Sequence, residues 1–129
     1  MIRTGNEKTG NRLLRIPAAA GELLVECTMA VINGDGYAET ATQATGLQIA
    51  GCVQRWCDNR TGADGAVSVD IKRGTFVWEN DGTIHETDIL KKCYIKDGVT
   101  VSLTADGSSI AGTILAVEPD GITVDMTQV

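Results

Sequence analysis

Ala66-Val67-Ser68-Val69-Asp70-Ile71-Lys72-Arg73-Gly74-Thr75-Phe76-Val77-Trp78 is the stretch whose reading decides the fold. Val67, Val69 and Ile71 alternate with Ser68, Asp70 and Lys72. A period of two gives a strand with one apolar face and one wet face. Gly74 interrupts the run, and Phe76 and Trp78 then resume the alternation. A glycine inside such a pattern marks a bulge or a close backbone approach. The reading is two strand segments joined at a kink, with Gly74 at the joint.

Upstream of this stretch, Asp58 to Gly65 is a polar connection of hairpin-loop character. Leu47 to Trp56 before it reads as the partner of the central strand, with Ile49, Val53 and Trp56 in the core. Glu22 to Ile32 reads as one extended segment, followed by the turn Asn33-Gly34-Asp35-Gly36, whose residues tolerate positive φ. Pro17 ends any ladder that Leu13, Leu14 and Ile16 begin. Downstream, Thr83 to Lys92 is the one helical piece, with Thr87 or Asp88 capping a turn that holds Ile89 and Leu90. Val99, Val101 and Leu103 alternate with polar residues, Ile110 to Val117 returns, and Ile122, Val124 and Met126 close a meander.

Asp-Gly occurs six times, at positions 35, 64, 81, 97, 106 and 120, and punctuates these short runs. The pattern predicts an all-β fold: an antiparallel β-sandwich or small β-barrel of short strands, with one short helical turn and an extended N-terminal arm. Val67, Val69, Ile71, Val99, Val101, Leu103, Ile114, Ile122 and Val124 are its expected core. At 129 residues the chain is expected to form a single β-rich domain over residues 16–129, preceded by an arm over residues 1–15. With aromatics at only 4%, that core is built from Val, Ile, Leu, Ala and Cys.

Charge is unevenly spread. Residues 1–15 hold Arg3, Lys8, Arg12 and Arg15 against Glu7 alone, a net of +3, while the remainder carries −9. An acidic body disfavours nucleic acid, whose phosphates it repels. No run approaches the roughly 18 apolar residues of a membrane helix. A basic arm on an acidic body points instead either to protein contact, with Ile2, Leu13 and Leu14 as apolar anchors beside Arg3, Lys8, Arg12 and Arg15, or to a solvated, disordered tail.

The residues carry little chemistry. His85 is the only histidine, and no glycine-flanked nucleophile elbow accompanies it. Cys52 and Cys57 lack the short paired spacing of a zinc site. Cys27, Cys52, Cys57 and Cys93 are read as free and mostly buried thiols, because no export signal opens the chain. The Asp58 to Gly65 loop lacks the alternating Asp/Asn pattern and the distal Glu of a calcium loop. Asn59-Arg60-Thr61 is a glycosylation sequon, relevant only to an exported chain. No enzyme, cofactor or metal is expected.

Three groups of residues recur in order and carry a resemblance. They are Arg73-Gly74-Thr75-Phe76-Val77-Trp78-Glu79-Asn80; then Ile84 to Asp88 with Lys92-Cys93-Tyr94-Ile95-Lys96-Asp97; then Thr100-Val101-Ser102, Ala111 to Val117 and Gly121-Ile122-Thr123-Val124. With Ala20 to Leu24 and Ala50 to Val53 upstream, the chain over residues 18–126 resembles the small capsid decoration, or cement, proteins of tailed bacteriophages. The resemblance implies a non-enzymatic protein made in the host bacterial cytoplasm and placed on the outer capsid surface of the virion. There it binds the expanded head and bridges major capsid protein subunits, with neighbouring decoration subunits as further partners and no nucleic acid or membrane. The alternative is a carbohydrate-binding or tail-associated adhesion module of a phage virion.

Overall fold

The computed structural model describes residues 12–127. Over the described residues the chain is all-β apart from one 3-10 turn. Its first five-stranded sheet runs in the order β1 (Leu13–Pro17), β7 (Ser68–Lys72), β5 (Gln48–Val53), β3 (Met29–Ile32), β4 (Ala38–Thr40). The sheet curls until its edge strands meet at a parallel bridge between Ala18 and Ala38. A side ribbon, β2 (Glu22–Leu24) with β6 (Cys57–Asn59), lies within its long connections. The second sheet is a closed barrel, β10 (Thr100–Ser102), β8 (Thr75–Asn80), β12 (Gly121–Asp125), β11 (Ile110–Glu118), β9 (Lys92–Ile95).

The two sheets repeat one another residue by residue. Leu14 pairs with Ile71 and Ile16 with Val69 in the first, as Phe76 pairs with Val124 and Trp78 with Ile122 in the second. Met29 faces Cys52 and Ala30 faces Gly51, as Lys92 faces Thr113 and Cys93 faces Gly112. Each register then slips by one residue, past Ala50 and past Ala111. Ile32 pairs with Ala38 as Ile95 pairs with Val101. The bridge from Ala18 to Ala38 corresponds to the parallel pair Asn80 and Val101. The interiors correspond too. Ile16, Ala30, Ala38, Ala50, Val53, Val69 and Ile71 fill the first, and Trp78, Cys93, Val101, Ala111, Ile114, Ile122 and Val124 fill the second. The chain is thus two tandem copies of one barrel plan. Met29, Val31, Ile49 and Cys52 on the outer face of the first pack into the core of the second, which joins the two.

Gly74 joins two strand segments, as the alternation indicates, but the segments belong to different sheets. β7 ends at Lys72 between β1 and β5, and β8 starts at Thr75 between β12 and β10, so Gly74 is the crossing from barrel to barrel. Of the expected core, Val69, Ile71, Val101, Ile114, Ile122 and Val124 are buried, and Leu103 is half-buried. Val67 and Val99 are exposed, because each stands one residue before its strand, where the backbone still bonds a neighbour but the side chain lies beyond the packed interior. Trp56 is 61% exposed for the same reason, since β5 stops at Val53. Trp78 is buried, and the half-buried Phe76 lies beside it with ring centroids 6.1 Å apart.

Other boundaries differ. Glu22 to Ile32 is two strands, broken where Cys27 takes φ +66°. Asp58 and Asn59 belong to β6 rather than to a loop. The helical turn is Glu86–Asp88, and Asp88 closes it backwards by accepting the His85 backbone N–H at 2.8 Å. Ile89 and Leu90 follow the turn and are exposed. The C-terminal strands are not a meander, because β10 sits between β9 and β8, parallel to β8 and apart from β11.

Candidate docking surface

β1 is where sequence and structure bring the expected contact residues together. Leu13, Leu14 and Arg15 are not a free arm: they pair with Lys72, Ile71 and Asp70 of β7. Ile2, Arg3 and Lys8 lie outside the described residues. Along β1, Ile16 points inward and is buried, whereas Leu13 is 70% exposed and Arg15 is exposed. Arg15 reaches Asp70 at 3.7 Å across the ladder, a solvent-exposed pair of little energetic weight.

Among the described residues the strand has one satisfied edge and one open edge. Ala18 donates its N–H to Val67, so in antiparallel alternation Leu14 and Ile16 also face β7. Leu13, Arg15 and Pro17 face the other way. The same side of β8 is closed partly, because Glu79 donates its N–H to Val99 at 2.8 Å. Pro17 occupies the position of Glu79 and has no N–H to donate. Among the described residues no strand pairs with the outer side of Leu13 and Arg15.

A groove of about 390 Å³ lies along this strand, lined by Leu13, Leu14, Arg15, Gln54, Arg55 and Asp70. A second, of about 430 Å³, opens where Arg12, Lys72 and Arg73 meet Gly74, Thr75 and Phe76. Arg73 is fixed by donating its guanidinium N–H to the Thr127 carbonyl. Four arginines and a lysine thus converge on one end of an acidic chain. Exposed Trp56 follows Arg55 directly. Trp and Arg are the residues that most often dominate protein–protein binding energy. The alternation places Trp56 in the core because nothing in it shows where β5 ends.

The remaining candidates form no reactive constellation. Among the described residues, no group of three or more His, Cys, Asp or Glu side chains is placed to hold a metal ion. His85 is exposed at the start of the 3-10 turn. All four cysteines are free. Burial pushes the Cys93 thiol up to about 12 and, with a smaller effect from Cys27, the Cys52 thiol up to about 11. Burial also raises Cys57. These three are poor nucleophiles, and Cys27 alone is exposed. Asn59 of the sequon is buried at 2% exposure, and its Nδ2 donates to the carbonyls of Ala18, Ala19 and Ala63. That carboxamide fastens the long connection to the first barrel and is withheld from modifying enzymes.

No protein-family model, no curated protein and no solved structure matches this chain.

Proposed function

We propose that the protein is a structural capsid decoration protein of a tailed bacteriophage, docking on the outer surface of the expanded head and bridging major capsid protein subunits. The observation that carries the reading is the β1 end. An open strand edge with exposed Leu13 lies among Arg12, Arg15, Arg55 and Arg73, with exposed Trp56 following Arg55. It joins the features of a protein-binding surface to the sequence resemblance over residues 18–126. A surface present once per subunit and repeated over a lattice adds avidity to modest contacts. Preference for the expanded shell over other states stabilises that shell by mass action. The adhesion alternative has less support, since Trp56 is the one largely exposed tryptophan and Trp78 is buried.

The test is co-sedimentation of the purified protein with expanded heads, set against a glycan array. Deletion of residues 1–11 leaves β1 whole and is the clean truncation, whereas deletion through Arg15 removes three of the five residues of a paired strand. Full-length protein is expected to saturate heads. Arg12→Glu/Arg15→Glu and Trp56→Ala are each expected to lower occupancy at matched concentration, and the arginine variant to do so most at low salt. Saturable glycan binding without head binding would replace this reading with the adhesion one.

A further inference from the structure

Asn33 ties off the hairpin between β3 and β4 through its carboxamide. Its Oδ1 accepts the backbone N–H groups of Asp35 at 3.0 Å and Tyr37 at 3.1 Å, and its Nδ2 donates to Glu39 Oε2 at 3.2 Å. Its backbone closes the same loop, with its N–H on the Tyr37 carbonyl and its own carbonyl accepting the Gly36 N–H. An asparagine side chain that bonds the chain two residues on is a common turn device. What sets this one apart is the next residue. Gly34 is exposed, a Cβ built on it meets nothing within 4 Å, and among the described residues its N–H bonds no acceptor.

Asn80 is an internal comparison. Its Oδ1 also accepts N–H groups two and four residues on, from Gly82 at 2.8 Å and Ile84 at 3.3 Å, and its Nδ2 donates to the Ile84 carbonyl. It is followed by Asp81, whose side chain is held by Thr83 and Lys96. Asn59 is buried and precedes Arg60. Among the described residues, Asn33 alone joins a polarised carboxamide to an unhindered backbone nitrogen.

We propose that Asn33 is a self-modifying site, at which the folded chain converts its own asparagine to aspartate or isoaspartate. The Gly34 nitrogen attacks Asn33 Cγ and gives up its proton. The Cγ–Nδ2 bond breaks, and the nitrogen leaves as ammonia with that proton. One water then opens the five-membered succinimide at either carbonyl, to aspartate or isoaspartate. The Asp35 and Tyr37 N–H groups stand on the oxygen that becomes negative during attack, as backbone donors do when they stabilise an oxyanion. The product undoes the knot. In aspartate an oxygen replaces the Nδ2 donor, so two carboxylates face each other where Asn33 and Glu39 shared a hydrogen bond. Glu39 belongs to β4, the edge strand whose Ala38 accepts the Ala19 N–H and bridges Ala18. Conversion therefore loosens the seam that closes the first barrel.

The test is ageing of the full-length protein at mildly alkaline pH, followed by peptide mapping with mass spectrometry. A gain of one mass unit, with isoaspartate, is expected at Asn33, and at least tenfold less at Asn59 and Asn80. Gly34→Ala is tolerated by the open surroundings of Gly34 and by its φ, which lies outside the left-handed region. It is expected to slow the gain at least tenfold with unchanged circular dichroism. Asn33→Asp is expected to lower the melting temperature at pH 7, and Glu39→Gln in that background to restore most of the loss. Conversion in urea but not in the folded chain would show that the hydrogen bonds lock the carboxamide, and overturns the inference. Conversion of Asn80 as fast as Asn33 overturns it too. An Asn33→Asp protein as stable as the parent rejects the loosening of the seam.

Discussion

Gly51 and Gly112 occupy equivalent places in the two barrels, and each faces a carbonyl that a side chain would strike. A Cβ on Gly51 meets the backbone oxygen of Lys72, and one on Gly112 meets that of Asp125, the counterpart of Lys72. Backbone in a ladder does not yield as a side-chain tip does. Gly112→Ala should therefore cost about 1–3 kcal/mol, the range for overpacking, measured by urea denaturation. Cys27 poses the opposite case. With φ +66° it stands at the third position of a turn closed by Thr28 N–H on Val25 O, and its own N–H bonds Val53 O. This is a site for glycine, and Leu90 repeats it at φ +72°, bonded to Ile114 O. Left-handed backbone costs a residue with Cβ about 1–2 kcal/mol, more than the 0.5–1 kcal/mol entropic cost of glycine. Cys27→Gly is accordingly expected to raise the melting temperature, and a lower value would show that the thiol contributes packing that outweighs the strain. Neither corner was legible in the sequence, because Cys and Leu hide turn positions that Gly would have announced.

At the scale of elements, the alternating runs were legible where pairing is continuous and misleading at their ends. Val69 and Ile71 face inward as their spacing requires, while Val67 and Val99 stand one residue before their strands and are exposed, although their carbonyls still accept the Ala18 and Glu79 N–H groups. The six Asp-Gly pairs located turns but not connectivity, so the parallel placement of β10 beside β8 had no local signal. The 3-10 turn is held by a carboxylate rather than by a preceding cap. Asp88 accepts the His85 backbone N–H and, at 3.1 Å, the Lys91 ammonium. These contacts, the backbone bond foremost, hold its carboxyl below the usual range. A folded-state pKa below the unfolded one gives stability that is present above the unfolded value, near 4, and is lost as pH falls toward the folded value. Asp88→Asn should then lower the melting temperature at pH 7 but narrow its difference from the parent as pH falls below about 4. A difference that stays constant on acidification would mean the charge of Asp88 contributes nothing.

For the whole molecule the decisive feature is repetition, and its trace in the sequence is slight. Gly46, Ile49, Ala50 and Gly51 recur as Gly107, Ile110, Ala111 and Gly112, at one constant spacing, but the connections differ in length and most paired positions differ in residue. The long insertion between β5 and β7, replaced in the second copy by the turn between β11 and β12, shifts the frame and hides the correspondence. The candidate docking end was legible as a basic N-terminal segment, yet Arg55, Trp56 and Arg73 join it only through folding. The copies are not independent, because Met29, Val31, Ile49 and Cys52 leave the outer face of the first barrel to pack with Trp78, Val101 and Ile114 in the second. Separating the barrels would expose that shared apolar surface, so they should unfold together. In Trp56→Phe protein the one remaining indole is buried Trp78, and its fluorescence reports the second barrel alone, while far-ultraviolet circular dichroism reports both. The two probes are expected to give the same urea midpoint and slope, as in a single cooperative transition. Resolved midpoints would show that the shared core is too weak to couple the copies, and that each barrel is a folding unit in its own right.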